Sequence, residues 1–227
     1  MSNRYQKRSR ISDKKYREIV RYFCEDLTAT QIANLTGLNR KTINEVLAYI
    51  RSCIVRYCDA TSPLSGEIEI DESYFGPRRV RGVRGRGAGK KIIVFGLLKR
   101  GDKVYTQIVK NASRDVLKQI IQERITGDST VYSDGWKAYD GLVDWGYKQH
   151  FRVNHGKNEF VSHANPRNHI NGIENFWGVA KVRLAKLRGL RHDRFYLHLK
   201  ECEFRYNMRH NDMYTELLKI LRKERQD

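Results

Sequence analysis

The sequence predicts a mixed α/β domain preceded by a small all-α domain. Two observations support this: apolar residues recur at helical spacing through residues 1–58, and from residue 67 onward short strand patterns are followed by helical ones. Between them, the small-residue segment 59–66 (DATSPLSG) contains a proline and lacks apolar periodicity. We therefore divide the chain into an all-α domain at 1–58, a linker at 59–66 and an α/β domain at 67–227.

Basic residues dominate the charge of the chain, with 44 Lys and Arg against 26 Asp and Glu and a net charge of +18. An excess of this size is typical of proteins that bind a phosphate backbone. The longest apolar run, at 92–98, is far shorter than the roughly 20 residues of a membrane-spanning helix. No apolar segment of a secretory signal follows the charged first residues. These features favour a cytoplasmic partner of nucleic acid that makes no membrane contact.

The four cysteines lack the paired spacing that a zinc site needs, so we expect them to be reduced and buried. They are Cys24, Cys53, Cys58 and Cys202.

The first two helices of the all-α domain are marked by their capping residues. Residues 11–27 show apolar positions at helical spacing, with Ser12 as a plausible N-cap. Thr28 and Gln31 form the signature of a capping box, which begins a second, short helix. We expect this helix to end at Gly37.

A third helix is predicted to follow Asn39, which can cap it, and to continue along an apolar stripe from Ile43 to Ile50. A helix, a tight turn with Gly and a second helix form a helix-turn-helix, whose second helix can enter the major groove of DNA. An ordinary three-helix bundle with solvated charges is the alternative. Donors are dense at the start of the third helix, so we favour DNA binding there through Arg40, Lys41, Thr42 and Asn44.

The α/β domain begins with a strand pattern in EIEIDES (67–73). Strict alternation places Ile68 and Ile70 on one face and acidic residues on the other. Two apolar runs within 91–109 are separated by KRGD (99–102), a turn signal that predicts a β-hairpin.

The second half of the α/β domain is predicted to be mainly helical. An apolar stripe predicts a helix at 114–125, and the strand pattern after it ends at Asp134. A short fifth strand is expected around 151–153, and the chain then shows helical patterns from Ile170 to its end. This order is typical of a central sheet covered by helices.

Two aspartates stand where predicted strands end. Asp71 lies where the apolar part of the first strand gives way to ESYFG, and Asp134 ends the fourth strand. If these strands are neighbours, both carboxylates lie at one edge of the sheet and can share divalent metal ions through oxygen ligands. The alternative is that each is a turn former or a helix cap.

The helix expected from residue 171 has one polar face, on which an amide, a carboxylate and an ammonium recur at i, i+3 and i+10. These belong to Asn171, Glu174 and Lys181. The alternative is a solvated face with an ion pair between Glu174 and Lys181. We expect the apolar residues to pack against the sheet, with Trp177 as a core residue rather than a base-stacking one. They are Ile173, Phe176, Trp177 and Val179.

Four ordered segments resemble the catalytic core of bacterial insertion-sequence transposases of the DDE superfamily, in the branch whose third catalytic residue is Asn. They are EIEIDESYFG, VYSDGWKAYDGL, NHINGIENFWGVAKVRLAKLRG and LKECEFRYN. The resemblance extends roughly from Gly66 to the C-terminus. Thirty-six residues separate Asp134 from Asn171 (171 − 134 = 37), about as many as in that branch.

The resemblance implies an RNase H-like mixed sheet flanked by helices. It also implies that Asp71, Asp134 and Asn171 bind metal and that Lys181 is an accessory basic residue. Glu174, one helical turn from Asn171, is the alternative third ligand.

The implied chemistry is phosphoryl transfer on DNA. Two Mg²⁺ or Mn²⁺ ions about 4 Å apart would activate a water and stabilise the leaving oxygen of a phosphodiester. The free 3′-hydroxyl at the element end would then attack double-stranded target DNA. Because two element ends must be joined together, we expect a homodimer or a higher oligomer in the DNA complex.

The segment 77–91 concentrates Arg and Lys among Gly, which indicates a flexible basic arm that neutralises DNA phosphates. A merely solvated loop is the alternative. The basic residues are Arg78, Arg79, Arg81, Arg84, Arg86, Lys90 and Lys91.

Two other functions would suit the same sequence. One is a DNA-binding regulator with an inactive transposase core, and the other is an RNase H-fold nuclease that cuts DNA without joining it. We expect His155, His163 and His169 to contact DNA or water, with a zinc cluster as the alternative.

Overall fold

The structure is a computed structural model that describes residues 3–60, 62–76, 91–134, 145–153, 169–187 and 190–226. By internal packing the chain forms two compact units. The helical unit comprises residues 1–61 and 191–227, and the α/β unit comprises residues 62–190. Within the described ranges, no helix combines the length and the hydrophobicity needed to traverse a lipid bilayer.

The helical unit begins with three helices whose N-caps are those predicted from the sequence. The Ser12 hydroxyl accepts a hydrogen bond from a backbone N–H three residues further on. Thr28 and Gln31 form a complete capping box, and the Asn39 side chain accepts from the backbone two residues later. The helices are α1 (Asp13–Cys24), α2 (Ala29–Thr36) and α3 (Arg40–Asp59).

The short turn between α2 and α3 depends on Gly37. Its φ of 70° is left-handed, and its N–H donates to the carbonyl of Ala33 at the end of α2. A residue with a Cβ is disfavoured in this conformation. The predicted succession of helix, tight turn and helix is therefore present, and its role in DNA binding stays a prediction.

Two further helices, α4 (Arg114–Arg124) and α5 (Asn171–Ala185), belong to the α/β unit, whereas α6 (His192–Asn207) and α7 (Met213–Gln226) complete the helical unit. Apolar residues of α6 and α7 share one buried cluster with those of α1 to α3. They include Phe204, Leu217 and Leu221, each no more than 1% exposed. The two packing units therefore differ from the domains predicted from the sequence, which were 1–58, 59–66 and 67–227. The reason is that periodicity shows which face of a helix is apolar but not which helices cover that face. The assignment of a separate function to each predicted domain stays a prediction.

Buried charges on α6 are paired with charges of α3. The Glu201 carboxylate, which is fully buried, accepts from Arg51 Nε at 2.7 Å. Fully buried Lys200 lies 2.9 Å from Asp59 of α3 and 3.1 Å from Glu203 of its own helix. Because an unpaired buried charge is strongly unfavourable, the pairs with Arg51 and Asp59 restrict how α6 packs on α3.

The α/β unit contains a five-stranded sheet in the order β3-β2-β1-β4-β5. β1 pairs antiparallel with β2, and β2 pairs antiparallel with β3, whereas β4 is parallel to both β1 and β5. These are the strand order and directions of an RNase H-like sheet, as the resemblance implied. The strands are β1 (Glu67–Phe75), β2 (Ile92–Lys99), β3 (Val104–Val109), β4 (Thr130–Asp134) and β5 (Gln149–Val153).

Helices cover this sheet as predicted. Ile68 and Ile70 of β1 pack with apolar residues of α4 in one cluster. α5 contacts β1 and β2 through Ile173, Phe176 and Trp177, each no more than 4% exposed.

The prediction that Val179 packs on the sheet was wrong. Val179 is 53% exposed, whereas its neighbour Ala180 is fully buried. Ile173 and Ala180 lie seven residues apart on one stripe of the helix, and Val179 falls outside that stripe. Hydrophobicity of the residue type was therefore a poorer guide than its position on the helix.

Close packing of α5 depends on Gly96 in β2. A Cβ built on Gly96 would lie 2.5 Å from Cζ2 of Trp177, which is nearer than carbon atoms approach without displacement. The indole ring therefore occupies the space that any other residue at this position would need.

We expect Gly96→Ala to lower the free energy of unfolding by about 1–3 kcal/mol, since Trp177 must shift to admit the methyl group. Urea denaturation measures the change. Gly178→Ala is the matched control, because a Cβ on Gly178 meets no atom within 4 Å and alanine favours the helix. Equal destabilisation by both substitutions would contradict the role given to Gly96.

Candidate active site

Two neighbouring parallel strands bring the predicted aspartates together. Glu69 of β1 lies opposite Tyr132 of β4, and Asp71 and Asp134 each follow two residues further along their strands. Asp134 ends β4 as predicted, but the prediction that β1 ends at Asp71 was wrong, because pairing with β2 continues the strand to Phe75. Carboxylate oxygens of Asp71, Glu72 and Asp134 lie within 4.8 Å of one another. The structure therefore has an acidic cluster where the sequence analysis placed a shared metal site.

Glu72 was not among the residues that the sequence analysis selected. Alternation along a strand directs it to the face opposite Asp71, so periodicity argued against it. The one available signal was its position next to Asp71 at the end of the apolar strand. Its backbone N–H donates a hydrogen bond to the Asp71 carboxylate.

The pKa of the Asp71 carboxyl lies above the ordinary value of an aspartate. Burial is the main cause that raises its pKa to about 7, and the neighbouring charge of Asp134 raises it further. The charge of Glu174 acts in the same direction. Hydrogen bonds from the Glu72 backbone and from Trp177 oppose the shift but do not offset it. A cation beside Asp71 would favour its ionised form.

Trp177 links the packing of α5 to this cluster. Its indole N–H donates to Oδ2 of Asp71 at 3.0 Å, and its ring packs edge-on against Phe75 at a centroid distance of 5.9 Å. The prediction that Trp177 is a core residue is confirmed by its 4% exposure. Its polar contact with Asp71 was not predicted, because sequence spacing does not show where an indole nitrogen points.

A buried carboxylate anchors the start of α5. Glu69, which is 1% exposed, accepts the backbone N–H of Ile173 at 2.9 Å and Nε of Arg100 at 2.9 Å. Arg100 in turn donates to the carbonyl of His169 at 2.6 Å. Sequence analysis missed Glu69 and Arg100 as functional positions. The available signal was that Glu69 shares the face of Asp71 in the alternating strand.

The other predicted catalytic residues lie along α5. Asn171 is its first residue and is exposed. Glu174 is exposed and close enough for its charge to raise the pKa of Asp71, although it is not part of the cluster defined by the 4.8 Å separation. Lys181 Nζ lies 5.9 Å from the centroid of the Phe75 ring. The order of these side chains along α5 follows the predicted helical spacing.

The candidate DNA-binding residues of α3 are accessible. Arg40, Lys41 and Asn44 are exposed on its first turns, and Thr42 is half-buried. In the basic segment, Lys91 is exposed at the start of β2. The other predicted contacts lie outside the described residues: Arg78, Arg79, Arg81, Arg84, Arg86 and Lys90.

The structure describes all four cysteines but only one of the three histidines considered for a zinc cluster. All four cysteines are free, and three of them are buried as predicted, whereas Cys24 is half-buried. Nδ1 of His169 lies 3.5 Å from Oε1 of Glu69. His155 and His163 lie outside the described residues.

The α/β unit has an RNase H-like sheet with an acidic cluster formed by the middle of β1 and the end of β4, and these features define its class as an RNase H-like domain. Comparison with known proteins defines its family. The chain belongs to the family of ISXO2-like transposase domains, which matches residues 63–207. It is therefore a transposase by family.

Individual relatives are similar to this chain in sequence. An uncharacterized transposase-like protein of Haemophilus influenzae is 41% identical over 119 residues, which are 52% of this chain and 93% of that protein. An uncharacterized protein in transposable element ISH50 of Halobacterium salinarum is 29% identical over 84% of this chain and 79% of its own length.

Among solved structures, the Mos1 strand transfer complex is similar at 11% identity and a TM-score of 0.33, covering 95% of this chain and 80% of that one. A Mos1 mariner paired-end complex with Mn is similar at 12% identity and a TM-score of 0.31, over 96% of this chain and 81% of that one.

The raised pKa of Asp71 predicts a dependence of stability on pH in the metal-free protein. The folded protein holds this proton up to about pH 7, whereas the unfolded chain releases it near the ordinary value of 3.8. Between these values the free energy of unfolding should fall as pH rises, by an amount on the order of a few kcal/mol. Asp71→Asn cannot ionise and should lose this dependence.

Urea denaturation in EDTA between pH 4 and 8 measures the difference between the variant and the unaltered protein. Asp134→Asn should give an intermediate curve, because it removes a charge that raises the pKa of Asp71 but leaves the burial. Parallel curves for Asp71→Asn and the unaltered protein would refute this account of the cluster.

Proposed function

We propose that this protein is the DNA transposase of an insertion sequence. It binds the terminal inverted repeats, hydrolyses the phosphodiester at the element end with Mg²⁺ and transfers the 3′-hydroxyl strand to target DNA. The observation that supports this most is the meeting of the Asp71 and Asp134 carboxylates on adjacent parallel strands of a transposase-family domain.

The donor set of the cluster suits a hard divalent cation. Carboxylate oxygens are the ligands that Mg²⁺ and Mn²⁺ prefer, and Asp71 and Asp134 present them close together. Burial and, to a smaller extent, the charge of Asp134 raise the pKa of Asp71, and a cation bound there would stabilise the ionised carboxylate against both effects. We assign Asp71 and Asp134 as ligands, with Asn171 as the third and Glu174 as its alternative. Two ions held there would supply an activated water and would stabilise charge on the phosphodiester.

The protein's own residues hold this cluster ready for the reaction. Trp177 and the Glu72 backbone donate to the Asp71 carboxylate, which fixes its orientation on β1. Asp134 is fixed by its place at the end of β4. Exposed Lys181 on α5 is proposed to offset negative charge on the phosphate, as a cation positioned before the reaction begins.

DNA binding is proposed for two basic regions. In the helical unit, α3 presents Arg40, Lys41 and Asn44, with Thr42 partly covered. In the α/β unit, the basic segment 77–91 supplies phosphate contacts. The net charge of +18 favours both assignments. A dimer or a higher assembly in the complex follows from the need to join two element ends in one reaction.

Asp71→Ala and Asp134→Ala are each expected to abolish cleavage and joining of a labelled duplex that carries the element end, by a factor of at least about 10³ if the carboxylates hold the metal. Products are separated on a denaturing gel after incubation with Mg²⁺. Asp102→Asn, in the exposed turn between β2 and β3, controls for the loss of one acidic residue and should leave both products unchanged.

Other outcomes of this assay distinguish the competing functions. Tight binding of the end with neither product would identify a DNA-binding regulator. Cleavage without joined product would identify a nuclease. Full activity of either alanine variant would refute the assignment of the cluster as the catalytic centre.

The third ligand can be identified by metal titration. We expect Asn171→Ala to raise the Mg²⁺ concentration for half-maximal cleavage by at least about tenfold, because a ligand oxygen is lost. Glu174→Ala should raise it less, and Asn175→Ala, at an exposed position on the same helix, serves as the control. A larger shift for Glu174→Ala than for Asn171→Ala would reverse the assignment.

A further inference from the structure

A groove of about 560 Å³ lies between α3 and α6 within the helical unit. One wall includes Arg40, Lys41 and Arg51 of α3, and the other includes Arg194 and His198 of α6. No role was predicted from the sequence for Arg51, Arg194 or His198. The groove therefore extends the basic surface of α3 beyond the residues that sequence analysis selected.

The charges of this groove are predominantly positive. Four lining side chains are cationic, Arg40, Lys41, Arg51 and Arg194. The buried Glu201 carboxylate is paired with Arg51, and the lining carboxylate of Glu45 opposes the other three. Asp193 lies 3.9 Å from Arg194 but also accepts two hydrogen bonds from Arg191, at 3.0 and 3.1 Å. The groove thus retains an excess of positive charge that suits a polyanion.

The cations of α3 are spread along the helix rather than clustered at one point. Arg40 and Arg51 are eleven residues apart, which is about 16 Å along a helix axis. One strand of duplex DNA advances roughly 3.4 Å per phosphate along the duplex axis, so this length spans several phosphates rather than one. An extended phosphate backbone fits this spacing better than a single small anion.

The wall formed by α6 is held in place by buried contacts. Arg51 donates to fully buried Glu201, which also accepts from Arg205 at 3.0 Å. Phe204, further along α6, is fully buried in the apolar cluster of the helical unit. Because these contacts fix α6 beside α3, the backbone positions of Arg194 and His198 are set before any ligand binds, which reduces the entropy lost on binding.

We propose that the groove between α3 and α6 binds the sugar-phosphate backbone of one DNA strand, so that Arg194 and His198 belong to the DNA-binding surface together with α3. This inference rests on the proposed function, since it assumes that the chain binds DNA. It assigns to the groove a sequence-independent contact, because phosphates carry no base information.

Binding of the full chain to two fluorescent duplexes, the element end and an unrelated sequence, tests the proposal by anisotropy over a range of salt concentrations. Arg194→Ala should weaken both complexes by about five- to tenfold at 0.1 M salt and lower the salt slope by about 1, as expected for one lost phosphate contact. Arg194→Lys should restore most of the affinity. Lys219→Ala, an exposed position on α7, removes the same charge and should change neither quantity.

A second pair of variants separates charge from bulk within the groove. Ala48 of α3 lines it, so Ala48→Glu should weaken both complexes markedly, whereas Ala48→Gln, of the same size, should weaken them much less. If the unaltered protein binds DNA while Arg194→Ala and Ala48→Glu behave like Lys219→Ala, the groove assignment is wrong and the proposed function stands. If the unaltered protein binds neither duplex, the proposed function itself fails.

Discussion

The α/β unit depends most on the hydrogen bond that the buried Glu69 carboxylate accepts from the start of α5. The carboxylate joins β1 to the first turn of α5 through the N–H of Ile173, and Arg100 satisfies its remaining charge. A carboxylate that is 1% exposed would be strongly unfavourable without these partners, so the start of α5 has little freedom to move along the sheet. Because Asn171 begins this helix, the same anchor determines where the proposed third ligand stands relative to the aspartates of the sheet.

The acidic cluster depends on the same packing at a second point. Trp177 reaches Asp71 only because Gly96 leaves room for the indole ring on β2. Metal binding requires an ionised Asp71, but burial raises the pKa of this residue and makes its charge unfavourable in the metal-free protein. A divalent cation would reverse this effect, so the site is expected to be more stable when loaded than when empty.

Much of this architecture could be predicted from the sequence, because local signals specify it. The caps at Ser12, Thr28 and Asn39 and the five strands all follow from residue type and spacing. Contacts between distant segments could not be predicted from the sequence. Examples are the contact of Glu69 with Arg100 and that of the Trp177 indole with Asp71. Periodicity identifies a buried face but not its partner, which is why the packing of α6 and α7 with the first helices was not foreseen. Segment 77–90 and most of its predicted contacts lie outside the described residues.

The packing of α6 and α7 makes the helical unit discontinuous in sequence, with the α/β unit inserted between its two parts. Each end of the inserted unit is thus covalently joined to the same neighbour. A fragment that lacks residues 1–61 would leave Phe204, Leu217 and Leu221 without the helices that cover them, and an exposed apolar face of this kind promotes aggregation. Recombination that exchanges N-terminal modules between such proteins would therefore have to replace both ends of the chain together.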